Sequence, residues 1–453
     1  MKQLLTLLTL VFVSATAASA AAAADTMTAP QLIALSRRDP AHLAGPLVAT
    51  LTDAAIKKGT AFLGHGPDFI WAVESTTQPV LRLDEGPGPV MKRIAGSKIW
   101  YAVGTLPVGT SHGFAYKIAG KDFGGSRDVP AYTPDWYSKP GVPTGTLSEK
   151  LVHTSKIYEG MKSNYWIWVP AQYSASTPAA LMVVQDGHMY INREAPNDCI
   201  LPALDNLIAE HKIPVMIVVF IQPGDISESK NSPLYKELEN LVKTVPAATT
   251  PGYRPRTPEN FLRSVLYDTV SDRYPRFLRD ELLPEVQANY NIRKDAYSRM
   301  MTGRSSGGIV SFDTAWFQND QFSRVLSWVG SFTPLQPTPD FGGQAFPAKV
   351  ELEPKHNIRV WLQDGAMDMR MWPLQNLAMA NALKRAGYDF HFSYGIGTHN
   401  TAQGTSEFPA SMEWLWRDYD PAKTEQIFEM EASERAKPDF RFQIFNRDHG
   451  AGR

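Results

Sequence analysis

One cysteine, Cys199, stands among 453 residues, so no disulfide can form within the chain. Histidine is sparse too, at ten residues. No H-x-x-x-H, H-E-x-x-H or paired-cysteine spacing is present, which argues against a metal centre. Charge is neither abundant nor one-sided: 45 Lys and Arg face 46 Asp and Glu, a formal net charge of −1. Without a long run of one sign, nothing favours nucleic-acid binding or a basic membrane-surface helix. No internal repeat is visible. After the first residues no apolar run is long enough to span a bilayer. What remains is 43% hydrophobic and 20% charged, an ordinary globular composition with length enough for two domains.

The opening "MKQLLTLLTLVFVSATAASAAAAAD" has Lys2, an apolar core from Leu4 to Val13, and A-x-A-type sites from Ala18 onward. It reads as a secretory signal over residues 1–24, because the core is shorter than the ~20 residues a membrane anchor needs. Export without disulfides suits a bacterial periplasmic or secreted enzyme. Residues 25–121 hold a short helical segment followed by β-rich runs with Gly and Pro turns, the pattern of a small β-sandwich. Residues 122–146 are rich in Pro, Gly and aromatics and read as an ordered linker.

From 147 to 420 strands alternate with helices. "AALMVVQDG" and "IPVMIVVFIQPG" are buried strands, and "SDRYPRFLRDELLPEVQANY" carries apolar residues at helical spacing. The expected class is α/β, a mostly parallel sheet covered on both faces. Such sheets place their sites at the carboxyl ends of strands. Residues 421–453 read as a polar tail.

Gly303-Arg304-Ser305-Ser306-Gly307 fits G-x-S-x-G. The short pattern arises often by chance, and a plain glycine-serine turn is the bland alternative. Here a candidate strand precedes it and a candidate helix follows, the context of a nucleophile elbow. The pattern assigns the reactive hydroxyl to Ser305 and leaves Ser306 a backbone N–H at the helix start.

A serine needs a base, and the base an orienting acid. Four histidines follow Ser305: His356, His391, His399 and His449. His356 precedes a strand, His391 lies inside one, and His449 is in the tail. His399, in "YGIGTHN", follows the last strand and is the expected base. For the acid, "RVWLQDGAMDMRMW" offers Asp364, which closes the strand, and Asp368, in the loop beyond. Asp368 is favoured, with Asp364 left to shape the turn or meet substrate. The second oxyanion donor is expected in "VVQDGHMY", at the N–H of His188 after Gly187.

Taken together, "VVQDGHMY", "SDRYPRFLRDELLPEV", "GRSSGGIVSFDTAWFQNDQFSRVLSWVGSF", "LQDGAMD" and "GTHN" resemble the putative-esterase family. That family includes enterochelin esterases, carbohydrate-esterase family 1 feruloyl and acetylxylan esterases, and esterase D. The resemblance covers about Leu147 to Asp418. It implies an α/β-hydrolase fold, a Ser305–Asp368–His399 triad and no cofactor. The N-terminal part resembles the immunoglobulin-like, starch-binding-type domain that precedes some of these esterases. Arg304 departs from the small residue expected before the nucleophile, and its charge is a candidate contact for an anionic group.

Tyr132, Trp136 and Tyr137, with Trp372 beside Asp368, are candidate stacking surfaces for a phenolic ring or sugar; domain packing is the alternative. Arg254, Arg256, Arg263, Arg273 and Arg276 would serve a catecholate siderophore, or form a salt-bridged face. Export favours a feruloyl or acetylxylan ester of plant-wall polysaccharide over the siderophore. The expected partner is therefore a small-molecule or oligosaccharide ester. An acyltransferase, or a non-catalytic carbohydrate-binding protein on the same scaffold, are the other classes this sequence admits.

Overall fold

The structure, a computed structural model, describes residues 26–84, 86–195, 198–244, 256–335, 342–369 and 371–441. The expected signal segment 1–24 lies outside the described residues, as do Arg254, His449 and the last part of the tail. No described helix is long and apolar enough to cross a membrane.

The N-terminal part is built from eight strands: β1 Ala61–His65, β2 Asp68–Glu74, β3 Val80–Leu83, β4 Gly86–Pro87, β5 Lys92–Arg93, β6 Ile99–Thr105, β7 Thr110–Ile118 and β8 Lys121–Ala131. They form two four-stranded antiparallel sheets, ordered β1-β2-β6-β5 and β4-β3-β7-β8. Alternation along β2 explains the packing. Phe69, Trp71 and Val73 meet Leu81, Phe114, Tyr116 and Val129 of the other sheet. Ile70 and Ala72 turn outward and are covered by Leu32, Leu47 and Ile56 of the three preceding helices. Strand β8 runs deep into the stretch expected as linker. The turn-like "DFGGSRDVPA" is drawn into the strand by its pairing with β7, a long-range contact that local composition does not show.

The larger sheet has nine strands: β9 Thr146–Leu147, β10 Leu151–Thr154, β11 Lys162–Val169, β12 Ala180–Gln185, β13 Met216–Ile221, β14 Arg299–Arg304, β15 Arg324–Trp328, β16 Arg359–Gly365 and β17 Asp389–Gly395. Their order is β10-β11-β13-β12-β14-β15-β16-β17, with β9 paired to β11. All neighbours from β13 to β17 are parallel; β10, β11 and β9 are antiparallel additions. Leu181 and Val183 point to one covered face. Ala180, Met182 and Val184 point to the other. With helices on both sides, such strands read as continuous apolar runs rather than alternating ones.

Two expectations change here. Trp136 is only 2% exposed. Its ring stacks on Tyr132 at 4.5 Å and 8°, with Phe408 edge-on at 6.5 Å, so no face is left for a sugar or phenol. The tail is not simply polar either. Phe428 and Met430 are buried, and Asn357 holds the Phe428 N–H at 2.8 Å and the Gln426 carbonyl at 2.7 Å. The Arg324 and Arg359 guanidiniums lie over the Phe428 ring, at 5.1 and 4.4 Å. Two apolar residues among polar ones suffice to dock that segment.

Trp136→Ala empties a filled aromatic pocket. It should cost about 3–5 kcal/mol of unfolding free energy in a urea titration while leaving KM for a small ester unchanged. A raised KM with unaltered stability would return Trp136 to the substrate site.

Candidate active site

Strand β14 ends at Arg304, and the helix Ser306–Phe317 begins one residue later. Ser305 between them has φ 57° and ψ −120°, a conformation that costs a non-glycine residue on the order of 1–3 kcal/mol. Its N–H donates to the Trp328 carbonyl at 2.9 Å, and its carbonyl accepts from Gly308, Ile309 and Ser331 N–H at 2.9, 3.1 and 3.1 Å. Gly303 is required by crowding, since an added Cβ would lie 2.5 Å from the Gly307 carbonyl oxygen.

The bend delivers Ser305 Oγ to 2.8 Å from His399 Nε2. His399 Nδ1 lies 2.8 and 2.9 Å from the two Asp368 carboxylate oxygens. A proton on Nδ1, facing the carboxylate, leaves Nε2 as the acceptor for the serine hydroxyl. The loops after β16 and β17 supply the acid and the imidazole. The Asp368 side chain is fully buried, and that of His399 is 13% exposed, so the ring can still be reached from outside. Ser331 Oγ, after β15, lies 3.2 Å from Ser305 Oγ.

The oxyanion donors expected from the sequence are the amides of Ser306 and His188. Among the described residues neither donates to a protein acceptor. The first amides of a helix are left unpaired by its geometry, and the Ser306 amide is the first. His188 sits in a single helical turn, Gly187–Met189, entered through Asp186 at φ 53°. Arg263 grips Asp186 with two hydrogen bonds, of 2.9 and 2.6 Å. Burial pushes the His188 imidazole below its usual range, and Arg263 adds to this against Asp186.

The Ser306 hydroxyl has a partner that no motif announces. It donates to Asp268 Oδ2 at 3.1 Å, as does Ser264 Oγ at 2.7 Å. Burial pushes the Asp268 carboxyl up to about 6. Only the folded chain joins Asp268 to the elbow, so motif spacing cannot find it. Ser331 had a weak signal, as a small polar residue just after a strand in "WVGSF".

Asp364 does not reach His399. It is fully buried; Oδ1 accepts the Gly365 N–H at 2.8 Å, and Oδ2 meets no donor among the described residues. Burial first, then the neighbouring Asp368 carboxylate, raises its pKa far above the carboxylate range. Its surroundings therefore favour the neutral form. Trp372 is 5% exposed and packs edge-on against the His399 ring at 5.1 Å and 74°. It supports the imidazole and offers no stacking face. Arg304 is half-buried and makes no ion pair among the described residues. His356 bonds Asn319 at 2.7 Å, and His391 stacks on Trp361 at 3.9 Å; both lie apart from Ser305. Among the described residues no three His, Cys, Asp or Glu side chains group as metal ligands.

Sheet order and the strand–turn–helix at Ser305 define the α/β-hydrolase class. Residues 159–414, more than half of the chain, match the family described as "Putative esterase". The chain belongs to this family. A Bacillus subtilis (strain 168) relative, "Uncharacterized protein YjcH", is 22% identical over 182 residues, which are 40% of this chain and 60% of that protein. The enterobactin esterase FES of Shigella flexneri is similar at TM-score 0.49 and 14% identity, over 80% of this chain and 97% of that one. The CE1 ferulic acid esterase AmCE1/Fae1A of Anaeromyces mucronatus is similar at TM-score 0.45 and 15% identity, over 62% and 94%. At such identities and scores neither likeness carries a substrate over to this chain.

The protonated Asp364 has a measurable consequence. Unfolded, an Asp loses its proton near pH 4; folded, Asp364 keeps it to higher pH. Above pH 4 the unfolded state thus binds fewer protons, and stability falls as pH rises, by at most about 1.4 kcal/mol per unit. Asp364→Asn cannot ionise. Urea midpoints of the variant should gain on the parent between pH 4 and 8; parallel pH profiles would contradict a neutral Asp364.

Proposed function

We propose that this chain is a serine carboxylic-ester hydrolase working through an acyl-enzyme, and that its substrates are feruloyl or acetyl esters of plant-wall polysaccharide. The observation that carries the mechanism is the chain of hydrogen bonds, each below 3 Å, from Ser305 through His399 to Asp368. Ser305 Oγ attacks the ester carbonyl as its proton passes to His399 Nε2. Asp368 holds the imidazole's orientation and stabilises the imidazolium. The Ser306 and His188 N–H groups receive the oxyanion, such donors being worth about 3–4 kcal/mol each. His399 then protonates the departing alcohol. In the second half it takes a proton from the water that attacks the acyl carbonyl, then gives it to Ser305 Oγ as the carboxylic acid departs.

The substrate reading rests on charge and on the rim. Arg263, Arg273 and Arg276, candidates for a catecholate, are held by Asp186, Glu237 and Asp272 at 2.6, 2.8 and 3.0 Å. The loops carrying His188, Asp368 and His399 instead expose Met189, Met367, Met369, Met371 and Ile396. Methionine rims are polarizable and adapt to flat aromatic groups, which favours an aryl acyl group over a polyanion. We read the N-terminal sandwich as immunoglobulin-like, of starch-binding type, the domain borders as sandwich to 131 and hydrolase from 147, and the enzyme as exported through residues 1–24.

A hydrolysis panel tests this: methyl ferulate, feruloylated arabinoxylan oligosaccharide, acetylated xylan and enterobactin. Feruloylated or acetylated substrates should turn over with higher kcat/KM than enterobactin; turnover of none would end the esterase reading. Ser305→Ala should lose at least about 10⁴-fold in kcat. Ser306→Ala keeps its amide and should stay within about tenfold of the parent, while its lost bond to buried Asp268 costs about 1–3 kcal/mol of stability. Reversed effects would place the nucleophile one residue on.

A further inference from the structure

The loop that carries His399 leaves the sheet at its rim. Strand β17 is the last in the order and, among the described residues, pairs only with β16. On the β16 side the loop is held, since Met367 N–H donates to the Gly397 carbonyl at 3.1 Å. On the other side the catalytic sheet has no strand among the described residues to hold the loop.

The N-terminal sandwich meets the loop itself. Asp128 of β8 accepts the Thr398 N–H on Oδ1 at 2.8 Å and the Thr398 hydroxyl on Oδ2 at 2.7 Å. Thr398 is the residue immediately before His399. Asp128 makes no ion pair among the described residues, so both oxygens serve this loop. Hydrogen bonds to a carboxylate are the stronger kind, and the two fix Thr398 by its backbone and by its side chain.

The sandwich is shaped for this contact. His112 pairs with Val129 and Phe114 with Ser126, so Gly113 alone faces both Arg127 and Asp128. That is a β-bulge, a device that re-aims a side chain and breaks the ladder where it does so. Close approach is required on both sides. A Cβ on Gly113 would lie 3.0 Å from Ile396 Cδ1, and one on Gly397 would lie 3.3 Å from Asp128 Oδ1. Behind the loop, Tyr132 Oη lies 3.2 Å from Thr405 Oγ1 of the helix Ala402–Leu415. The contact therefore continues past the loop.

We propose that Asp128 is a positioning residue for the reaction: from the other domain it clamps Thr398 and so holds the His399 ring between Asp368 and Ser305. This rests on His399 as the base. The sandwich is thereby part of the catalytic machinery, acting on geometry without touching the ester.

The test uses the full-length protein and 4-nitrophenyl acetate, a small ester that needs no polysaccharide contact. Asp128→Ala should lower kcat roughly tenfold to a hundredfold, the penalty of an ångström-scale misplacement, with KM within about twofold. Asp128→Asn is the rescue: its Oδ1 still accepts the amide and its Nδ2 can donate to the Thr398 hydroxyl, so it should recover most of the loss. Thr398→Val should lower kcat by a smaller factor, and the Asp128→Ala/Thr398→Val pair should lose less than the product of the two. Parental kcat in Asp128→Ala, equal loss in Asp128→Ala and Asp128→Asn, or loss confined to the melting temperature would each overturn the proposal. If Asp128→Ala does not fold, Thr398→Val decides, and parental kcat there overturns it. His399→Ala separates the two readings: activity surviving that change removes the base itself, whereas its loss beside an active Asp128→Ala removes only the clamp.

Discussion

Ser305 can hold φ 57° only because its neighbours fix both ends of its peptide units. The Trp328 carbonyl takes its N–H, and three amides, from Gly308, Ile309 and Ser331, converge on its carbonyl. Two of those amides belong to the helix it starts, and one to the loop after β15. The bend is thus tied to its own helix and to the next strand. Val329 in that loop is itself bent, at φ 42°, and its N–H is taken by the Gln363 carbonyl of β16. Strain at one residue persists because adjacent strands over-determine it. Release any of these ties and the hydroxyl swings away from an imidazole placed by a different loop.

The second layer under the elbow is electrostatic. Asp268 and Asp364 are buried carboxyls whose surroundings favour the neutral form, one beneath Ser306 and one beside Asp368. Asp186 is balanced by the bidentate Arg263. Buried acids of this kind are costly. Here they sit against the turn, the acid loop and the oxyanion loop, where a fixed hydrogen-bond pattern matters more than added stability.

Much of the site was legible because chain order and loop position are local properties. Ser305, His399 and Asp368 stand where a strand-ending rule puts them, and the structure brings them into one chain of hydrogen bonds. The strand pattern of the large sheet was legible for a similar reason: strands covered on both faces must be apolar throughout. What escaped the sequence depends on which distant residue packs against which. Trp136 and Trp372 have the composition of a stacking surface, and only burial against Tyr132 and His399 shows otherwise. Strand β8 hides in a glycine-rich stretch because β7, not its own propensity, straightens it. The Phe428 anchor lies within polar residues, and its pocket is lined by arginines from β15 and β16.

Asp128 and Thr398 are 270 residues apart in the chain. A ribosome delivers the sandwich first, and its carboxylate then waits for a loop made 270 residues later. No shorter nascent chain can assemble the complete histidine loop. The hydroxyl elbow, made about a hundred residues earlier, stays without its base until then. With the clamp we propose, the histidine loop is complete only once both parts have folded and met. Any lesion that keeps them apart would leave a well-formed hydrolase core that does nothing.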